Sequence, residues 1–251
     1  MEITYIGHSG FLMEWESCYW LFDYYTGEIP LLNREKKLFV FASHKHGDHY
    51  NPDIFDLQSK YDRVQYILSS DIKVSSKRLS GKGGFGEAAD TIVSVKPSAQ
   101  YEFYDQNQEK IELRTLKSTD CGVAFLLKYQ GKTVYHAGDL NLWVWKEETK
   151  QYNNDMRAKF QKEIKKLEGM VGSPTIAIDI AFVPLDPRQE EWYYLGMEYL
   201  MNTVKIKYLF PMHFWNKPSI IKQFLNERGS GNDTRIMEVD SAGQSWSIEK
   251  K

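Results

Sequence analysis

The segment H-K-H-G-D-H, residues 44–49, holds three of the chain's six histidines and directly follows the apolar run Leu38–Ala42. An apolar run of this length, rich in Leu, Val and Phe, predicts a buried strand. Polar groups at a strand end are held by the sheet behind them, and binding and catalytic residues concentrate at such places. The chain must therefore fold so that the edge of a sheet presents this segment.

The spacing within this segment is typical of metal ligands. In an extended chain, residues two apart point the same way, so His44 and His46 can converge on one ion through neutral imidazole nitrogens. Gly47 predicts a reversal of the chain, after which Asp48 and His49 can face a second ion. The alternative is a solvated polar loop, which four ligand-type residues in six positions disfavour.

Hydrophobic periodicity along the rest of the chain predicts many strands and a few helices. Strands are predicted at Ile3–Ile6, Phe11–Trp15, Tyr19–Asp23, Leu38–Ala42, Val64–Leu68, Ile92–Val95, Gln100–Tyr104, Lys110–Leu116, Val123–Tyr129, Thr133–His136, Ile176–Val183, Tyr208–Pro211, Arg235–Val239 and Gln244–Ile248. Helices are predicted at Pro52–Ser59, around the stripe Met156, Phe160, Ile164 and Leu167, at Trp192–Val204 and at Ser219–Glu227. This order predicts an α/β (α+β) protein with one domain over residues 1–251, a four-layer αββα sandwich of two mixed β-sheets flanked by helices.

Composition bears on the class of partner. The 32 Lys and Arg residues against 34 Asp and Glu leave a formal net charge of −2, which supplies no general attraction to nucleic acid or anionic membranes. No segment approaches the roughly 18 apolar residues that cross a bilayer. The two cysteines, Cys18 and Cys121, suit buried thiols in a reducing compartment. We expect a cytoplasmic protein, compatible with a homo-oligomer, that acts on a small molecule, anionic or neutral, and binds no nucleic acid.

The histidine segment resembles the H-x-H-x-D-H signature of the metallo-β-lactamase superfamily, and further motifs follow in that superfamily's order. They are G-H-S-G-F (residues 7–11), L-F-D (21–23), H-A-G-D (136–139), D-I-A-F-V-P-L-D (179–186) and P-M-H-F (211–214). The set is most similar to the branch that contains ascorbate-6-phosphate lactonase and N-acylphosphatidylethanolamine phospholipase D. The resemblance implies a metallo-β-lactamase-like fold with a binuclear metal site and lactonase-like hydrolysis.

The resemblance also implies a set of ligands. The first metal would be bound by His44 and His46, the second by Asp48, His49 and His213, with Asp139 as the bridge. Asp48 and Asp139 would then be the catalytic carboxylates. Imidazole and carboxylate ligands accept several metals, so we expect two divalent cations, with zinc first and manganese or iron as alternatives.

One ligand of the superfamily pattern is missing from this chain. The pattern places another histidine between the first cluster and the bridging aspartate, but no histidine lies between His49 and His136. The expected position falls in K-S-T-D-C-G-V, residues 117–123, where Asp120 is the strong ligand. An oxygen ligand there would favour iron or manganese over zinc. Alternatively, Asp120 caps a turn and the first site is weak or empty.

Supporting roles are predicted for three further residues. Asp23 can accept a hydrogen bond from a ligand histidine and so set its tautomer, or it can be an ordinary buried aspartate at a strand end. His136 ends a strand three residues before Asp139 and is expected to support that ligand. His8 either approaches the site or holds its own loop.

Three residues are candidates for substrate binding. The planar fork of Arg188 can clamp a phosphate or carboxylate, or the residue can form a surface ion pair. Trp145 and Trp215 lie near the later motifs and can line a pocket, although large aromatic side chains more often pack in a core.

Hydrolysis is the reaction that this set predicts. Two cations roughly 3.5 to 4 Å apart lower the pKa of a shared water toward about 7. We therefore expect a metal-dependent hydrolase that uses a metal-bridged hydroxide to cleave a small ester, lactone or phosphodiester. The alternatives are an iron-dependent oxidoreductase on the same fold, a nuclease, and a metal-binding protein without catalysis.

Overall fold

In a computed structural model of the chain, residues 1–74, 91–172, 178–229 and 234–248 are described. The chain forms two compact units. The first unit comprises Met1–Lys96, Tyr104–Lys110 and Ala242–Lys251, and the second comprises Pro97–Phe103 and Ile111–Ser241. The expectation of one domain over residues 1–251 stays a prediction.

The described residues form fourteen strands, three α-helices and two short 3₁₀ helices. The strands are β1 (Glu2–Gly7), β2 (Gly10–Glu14), β3 (Cys18–Phe22), β4 (Lys37–Ala42), β5 (Val64–Ser69), β6 (Ile92–Val95), β7 (Gln100–Tyr104), β8 (Lys110–Lys117), β9 (Val123–Tyr129), β10 (Lys132–His136), β11 (Ile178–Pro184), β12 (Ile206–Met212), β13 (Arg235–Ile236) and β14 (Ser245–Ser247). The α-helices are α1 (Lys150–Val171), α2 (Leu195–Thr203) and α3 (Ser219–Arg228), and the 3₁₀ helices are Pro52–Ser59 and Pro187–Trp192.

The sheet of the first unit has the order β14-β1-β2-β3-β4-β5-β6. Its pairs are antiparallel from β14 to β3 and parallel from β3 to β6. Every residue of β3 is buried, as is usual for strands in a parallel arrangement. Because β3, β4 and β5 run in one direction, their carboxyl ends meet at the same edge of the sheet.

The sheet of the second unit has the order β13-β12-β11-β10-β9-β8-β7. The strands β10, β11, β12 and β13 are mutually parallel, whereas β8, β9 and β10 pair antiparallel. The helix α1 packs against α2, and α2 packs against β11. The predicted stripe of Met156, Phe160, Ile164 and Leu167 is the buried face of α1, which is the usual reason for such spacing.

The expected fold class, two mixed β-sheets with helices, is confirmed. Several predicted elements differ in their bounds. The helix predicted at Trp192–Val204 begins later, at Leu195, because a 3₁₀ segment with Glu190 at φ 50 and ψ −120 precedes it. The last strands are shorter than predicted, since the ladder between β12 and β13 ends at the pair Leu209–Ile236. Within the described ranges, no helix is both long and apolar enough to cross a membrane.

Candidate metal centre

In the first unit, the histidine segment forms a tight turn at the carboxyl end of β4. The backbone N–H groups of His49 and Tyr50 both donate to the carbonyl of His46, at 3.0 and 2.9 Å. The N–H of Lys45 donates to Oδ2 of Asp71, just beyond the end of β5, at 3.2 Å. The turn is therefore fastened to the neighbouring parallel strand, and the predicted reversal at residue 47 is present.

Asp23 orients two imidazoles from the end of β3. It is fully buried, and its Oδ2 lies 2.8 Å from Nδ1 of His49 and accepts the hydroxyl of Ser43 at 2.6 Å. The Oγ of that Ser43 lies 3.0 Å from Nδ1 of His44. A carboxylate only accepts, so His49 donates from Nδ1, and the serine, already donating to Asp23, accepts from His44. In both rings Nε2 then carries the lone pair that a metal requires.

The ligand atoms of the first unit form two adjacent groups. Those of His8, Asp48 and His49 lie within 4.8 Å of one another, as do those of His44 and His46. The ring centroids of His44 and His49, one from each group, are 4.2 Å apart. His8 Nε2 is 3.5 Å from Asp48 Oδ2, so His8 lies among the predicted ligands of its unit.

In the second unit, Asp139 follows β10 on a turn that neighbouring side chains hold in place. His136 is buried, and its Nδ1 accepts the N–H of Gly138 at 3.1 Å. The carbonyl of Asp139 accepts hydrogen bonds from Trp143 Nε1 at 3.0 Å and Thr119 Oγ1 at 3.2 Å. His136 thus contacts the turn that carries Asp139, and its predicted supporting role remains a prediction.

His213 follows β12 and is held by Asp186, which follows β11. Nδ1 of His213 lies 3.0 Å from Oδ2 of Asp186, and its Nε2 lies 3.5 Å from Oδ1 of Asp139. Burial raises the pKa of Asp186, but hydrogen bonds from His213 and Arg188 outweigh burial and hold that pKa below its ordinary value. Asp186 is therefore ionised, and the Nδ1 of His213 is the donor. This is the arrangement of Asp23 and His49 repeated in the second unit.

Asp120 lies close to Asp139 but is exposed. A carboxylate oxygen of each residue lies within 4.8 Å of the other, and the N–H of Asp120 donates to Ser118 Oγ at 3.1 Å. Asp139 thus lies near both Asp120 and His213, which suits a carboxylate shared by two ions. Both earlier interpretations of Asp120, ligand and turn residue, fit this geometry.

The three predicted substrate-binding residues lie together in the second unit. Arg188 directs Nε and Nη2 at both carboxylate oxygens of Asp186, with contacts of 2.6 to 3.0 Å. Its guanidinium carbon lies 4.3 Å from the ring centroid of Trp215 and 5.9 Å from that of Trp145. The sequence left two roles for Arg188, a clamp on the substrate or a surface ion pair. The ion pair is formed, and the partner of Arg188 in it, Asp186, is buried.

Asp186 is the functional residue that sequence reasoning did not single out. It ends the motif D-I-A-F-V-P-L-D, and its side chain caps the 3₁₀ helix Pro187–Trp192 by accepting the N–H of Arg188 at 2.8 Å. An aspartate directly after a buried strand and before Pro-Arg was the available signal.

The profile of the β-lactamase superfamily domain matches residues 2–155 of this chain. The chain belongs to the metallo-β-lactamase superfamily. A UPF0173 metal-dependent hydrolase of Carboxydothermus hydrogenoformans is 25% identical, in an alignment that covers 88% of this chain and 87% of the relative. The name of that relative agrees with the sequence-based prediction of a metal-dependent hydrolase.

Solved structures of the metallo-β-lactamase type are similar along almost the whole chain. Igni18, a metallo hydrolase of the archaeon Ignicoccus hospitalis, gives a TM-score of 0.63 at 16% identity, with 100% of this chain and 99% of that chain covered. YhfI of Bacillus subtilis, a metallo-β-lactamase fold protein, gives 0.58 at 13% identity, with 98% of each chain covered. The predicted metallo-β-lactamase-like fold is thereby confirmed.

The donors in each unit suit a first-row divalent cation. They are imidazole nitrogens, two of them on rings whose tautomer a buried carboxylate sets, and carboxylate oxygens. These are the ligand types that zinc, iron and manganese share. The residues present therefore fit two metal ions, and they do not fix which metal is bound.

Proposed function

We propose that this superfamily member is a metal-dependent hydrolase with a binuclear site. One observation carries the proposal: in each unit a buried aspartate binds Nδ1 of a histidine, and a second carboxylate lies within 4.8 Å of a ring nitrogen of that histidine. The pairs are Asp23–His49 and Asp186–His213. Such aspartate–histidine pairs orient metal ligands, and the names of the curated relatives support the same function.

The proposal assigns the ligands in the order that the superfamily motif implies. His44, His46 and Asp120 hold the first ion, Asp48, His49 and His213 hold the second, and Asp139 is shared. The short distances among ligand atoms inside each unit support this assignment. His8, beside Asp48, is assigned to hold that carboxylate in place.

The residues of the chain position the reactants. When bound, two divalent cations polarise a carbonyl or phosphoryl oxygen and activate water for hydrolysis. Asp23 and Ser43 keep His44 and His49 in the tautomer that offers Nε2, and Asp186 does the same for His213. Trp143 and Thr119 donate to the main-chain carbonyl of Asp139 and so hold the backbone that carries its carboxylate.

A small ester, lactone or phosphodiester is the proposed substrate class, as in the lactonase and phospholipase D branch that the motifs resemble. These bonds share a carbonyl or phosphoryl centre that activated water attacks. Zinc is the proposed metal, with manganese or iron as alternatives because Asp120 supplies an oxygen ligand. A cytoplasmic location remains part of the proposal.

Metal analysis combined with a hydrolysis panel tests this function. We expect about two metal ions per chain, loss of ester, lactone or phosphodiester cleavage on chelation, and recovery on adding zinc or manganese. Asp139→Asn should lose more than roughly 100-fold in activity, because substitutions that merely support a ligand already cost about 10- to 100-fold. The exposed Asp62→Asn is the matched control and should keep full activity.

Three outcomes would contradict the proposal. Full activity of Asp139→Asn would contradict the assignment of Asp139 as a ligand shared by the two metal ions. A redox-active iron content without hydrolysis would favour the oxidoreductase. Cleavage of RNA at low salt, with the small esters untouched, would favour the nuclease.

A further inference from the structure

Two tryptophans of the second unit lie against His213, and a third is stacked on one of them. The ring centroids of Trp143 and Trp215 lie 5.5 and 5.6 Å from that of His213. The ring of Trp145 is parallel to that of Trp143, with 5.8 Å between centroids and 1° between planes. A substrate group next to His213 therefore meets indole surface.

Two of these rings are accessible and firmly placed. Trp143 is buried, Trp145 is half-buried and Trp215 is 37% exposed even with Arg188 above it. Asn153 of α1 fixes the backbone of Trp145, donating to its carbonyl at 2.8 Å and accepting from its N–H at 3.1 Å. Trp215 donates Nε1 to Asp186 at 3.3 Å.

The backbone of Trp215 lies in the left-handed region, at φ 49. That conformation is unusual for a bulky residue, and such residues concentrate at ligand sites, where the surroundings enforce them. The following Asn216 is also left-handed, at φ 56. The turn therefore holds the indole in place at a local conformational cost. Because the ring is partly exposed, packing in the core does not account for that cost.

The positive charge of Arg188, which lies beside these rings, is already neutralised by Asp186. Arg188 donates through Nε and Nη2 to both oxygens of Asp186, which is fully buried and ionised. A guanidinium recognises anions through this planar fork, and here the fork is occupied by a carboxylate of the chain itself. The pair adds no net positive charge to the aromatic surface.

We propose that Trp145 and Trp215 determine specificity by stacking on an uncharged, planar and apolar group of the substrate, such as the aryl part of an aryl ester. The inference rests on the proposed hydrolase function and names the substrate class of that site. It replaces the expectation that Arg188 clamps an anionic group of the substrate, because that guanidinium is paired with Asp186. Aromatic surface with a few fixed polar groups is the usual lining of a site for such ligands.

Binding of three small probes to the purified, metal-loaded chain tests this inference by calorimetry. They are 2-naphthol, which is planar and neutral, 2-decalol, which is saturated, and 2-naphthoate, which is planar and anionic. We expect 2-naphthol to bind roughly 2- to 13-fold more tightly than 2-decalol, the factor that one aromatic pair supplies. The metal ions also attract the carboxylate of 2-naphthoate, so its affinity is compared only between the parent protein and the Trp215 variant, where it should fall as that of 2-naphthol does.

Variants connect the preference to the proposed residues. Trp215→Leu should remove the advantage of 2-naphthol over 2-decalol, and Trp215→Phe should keep most of it. Trp246→Leu, at a half-buried tryptophan of β14, is the matched control and should change nothing. If circular dichroism shows Trp215→Leu to be unfolded, Trp145→Leu makes the same test.

The results that would overturn the inference differ from those that would overturn the hydrolase. Equal binding of 2-decalol and 2-naphthol, or an unchanged preference for 2-naphthol in folded Trp215→Leu, would each contradict the aromatic specificity. Binding of 2-naphthol that depends on Trp215, without hydrolysis of any ester, would contradict only the proposed hydrolase function. Hydrolysis of alkyl and aryl esters with equal kcat/KM would agree with the hydrolase function and contradict the aromatic specificity.

Discussion

Asp23 and Asp186 do the same physical task in their two units. Each is fully buried beyond the end of a parallel strand, and each accepts a hydrogen bond from Nδ1 of a histidine, at 2.8 and 3.0 Å. An ionised carboxylate has no proton to donate, so the tautomer of the ring is decided by its partner. Asp23 and Asp186 thereby decide which ring nitrogen of His49 and His213 is free to bind a metal.

Replacing Asp23 with Asn should weaken metal binding without changing side-chain size. The carboxylate accepts the Ser43 hydroxyl and Nδ1 of His49 at Oδ2 and the backbone N–H of Ser43 at Oδ1. The amide has one acceptor oxygen in place of two, so it cannot accept at both positions. We expect affinity for zinc to fall about 10- to 100-fold, measured by equilibrium dialysis. Asn tolerates the left-handed backbone that Asp23 adopts at φ 41, so strain does not confuse the comparison.

The control for this substitution is Asp62→Asn, at an exposed aspartate of the same unit. It should bind zinc as the parent protein does. Unchanged zinc affinity in Asp23→Asn would show that the carboxylate is an ordinary buried group and has no part in ligand orientation.

At the scale of elements, each sheet presents its polar residues in the same way. In the first unit Asp23, His44 and Asp71 follow the parallel strands β3, β4 and β5, and in the second unit Asp139, Asp186 and His213 follow β10, β11 and β12. The carboxyl ends of parallel strands form one edge, where ligand sites of α/β proteins occur. Strand direction therefore collects residues that are far apart in sequence.

The loops of the second unit are joined by buried amides. Gln189 accepts from Asn141 Nδ2 at 3.0 Å and donates Nε2 to the carbonyl of Leu142 at 2.8 Å. The helix α2 comes so close that a Cβ on Gly196 would lie 1.8 Å from Oδ1 of Asn141. These contacts link the loop that carries Asp139 to the segment that carries Asp186.

Gly196→Ala should therefore disturb both stability and the metal centre. The new methyl group must displace Asn141, an overpacking that costs about 1–3 kcal/mol of unfolding free energy. Because Asn141 is two residues from Asp139, we also expect zinc affinity to fall. Urea denaturation and equilibrium dialysis measure the two effects.

Gly169→Ala provides the matched comparison within a helix. No atom lies within 4 Å of a Cβ at Gly169 in α1, so this substitution should stabilise the protein by roughly 0.5–1 kcal/mol. A Gly196→Ala variant as stable as Gly169→Ala would contradict the close approach of α2 to Asn141.

At the scale of the whole molecule, buried phenols make the folded chain sensitive to alkali. Burial raises the pKa of Tyr5 from 10.0 to about 12, against a smaller opposing effect of the backbone at His8. Burial also raises the pKa of Tyr66 and, more strongly, of Tyr135. The folded protein thus keeps protons that the unfolded chain releases near pH 10.

Stability should accordingly decline as the pH rises above about 10. The unfolded state binds fewer protons there, so the free energy of unfolding falls by about 1.4 kcal/mol per pH unit for each such tyrosine. The loss attributable to Tyr5 should be complete near its folded pKa of about 12. Urea denaturation across this range measures it, and Tyr135→Phe should make the decline shallower. A flat profile would show that these phenols titrate normally.

Local patterns were enough to predict much of this structure. The apolar run before His44 is β4, the stripe from Met156 to Leu167 is the buried face of α1, and the helix predicted at Pro52–Ser59 is present as a 3₁₀ helix. Each depends on neighbours a few residues away, and periodicity in the sequence records such neighbours directly.

The sequence by itself determined the strands, the helical stripe, the ligand types and the superfamily. Only the tertiary structure decided that Asp186 holds His213, 27 residues away, that Arg188 pairs with Asp186, and that His8 lies within 3.5 Å of Asp48. A hydrogen bond depends on distance and direction between groups that separate strands carry to one edge, and the order of residues along the chain does not contain those quantities.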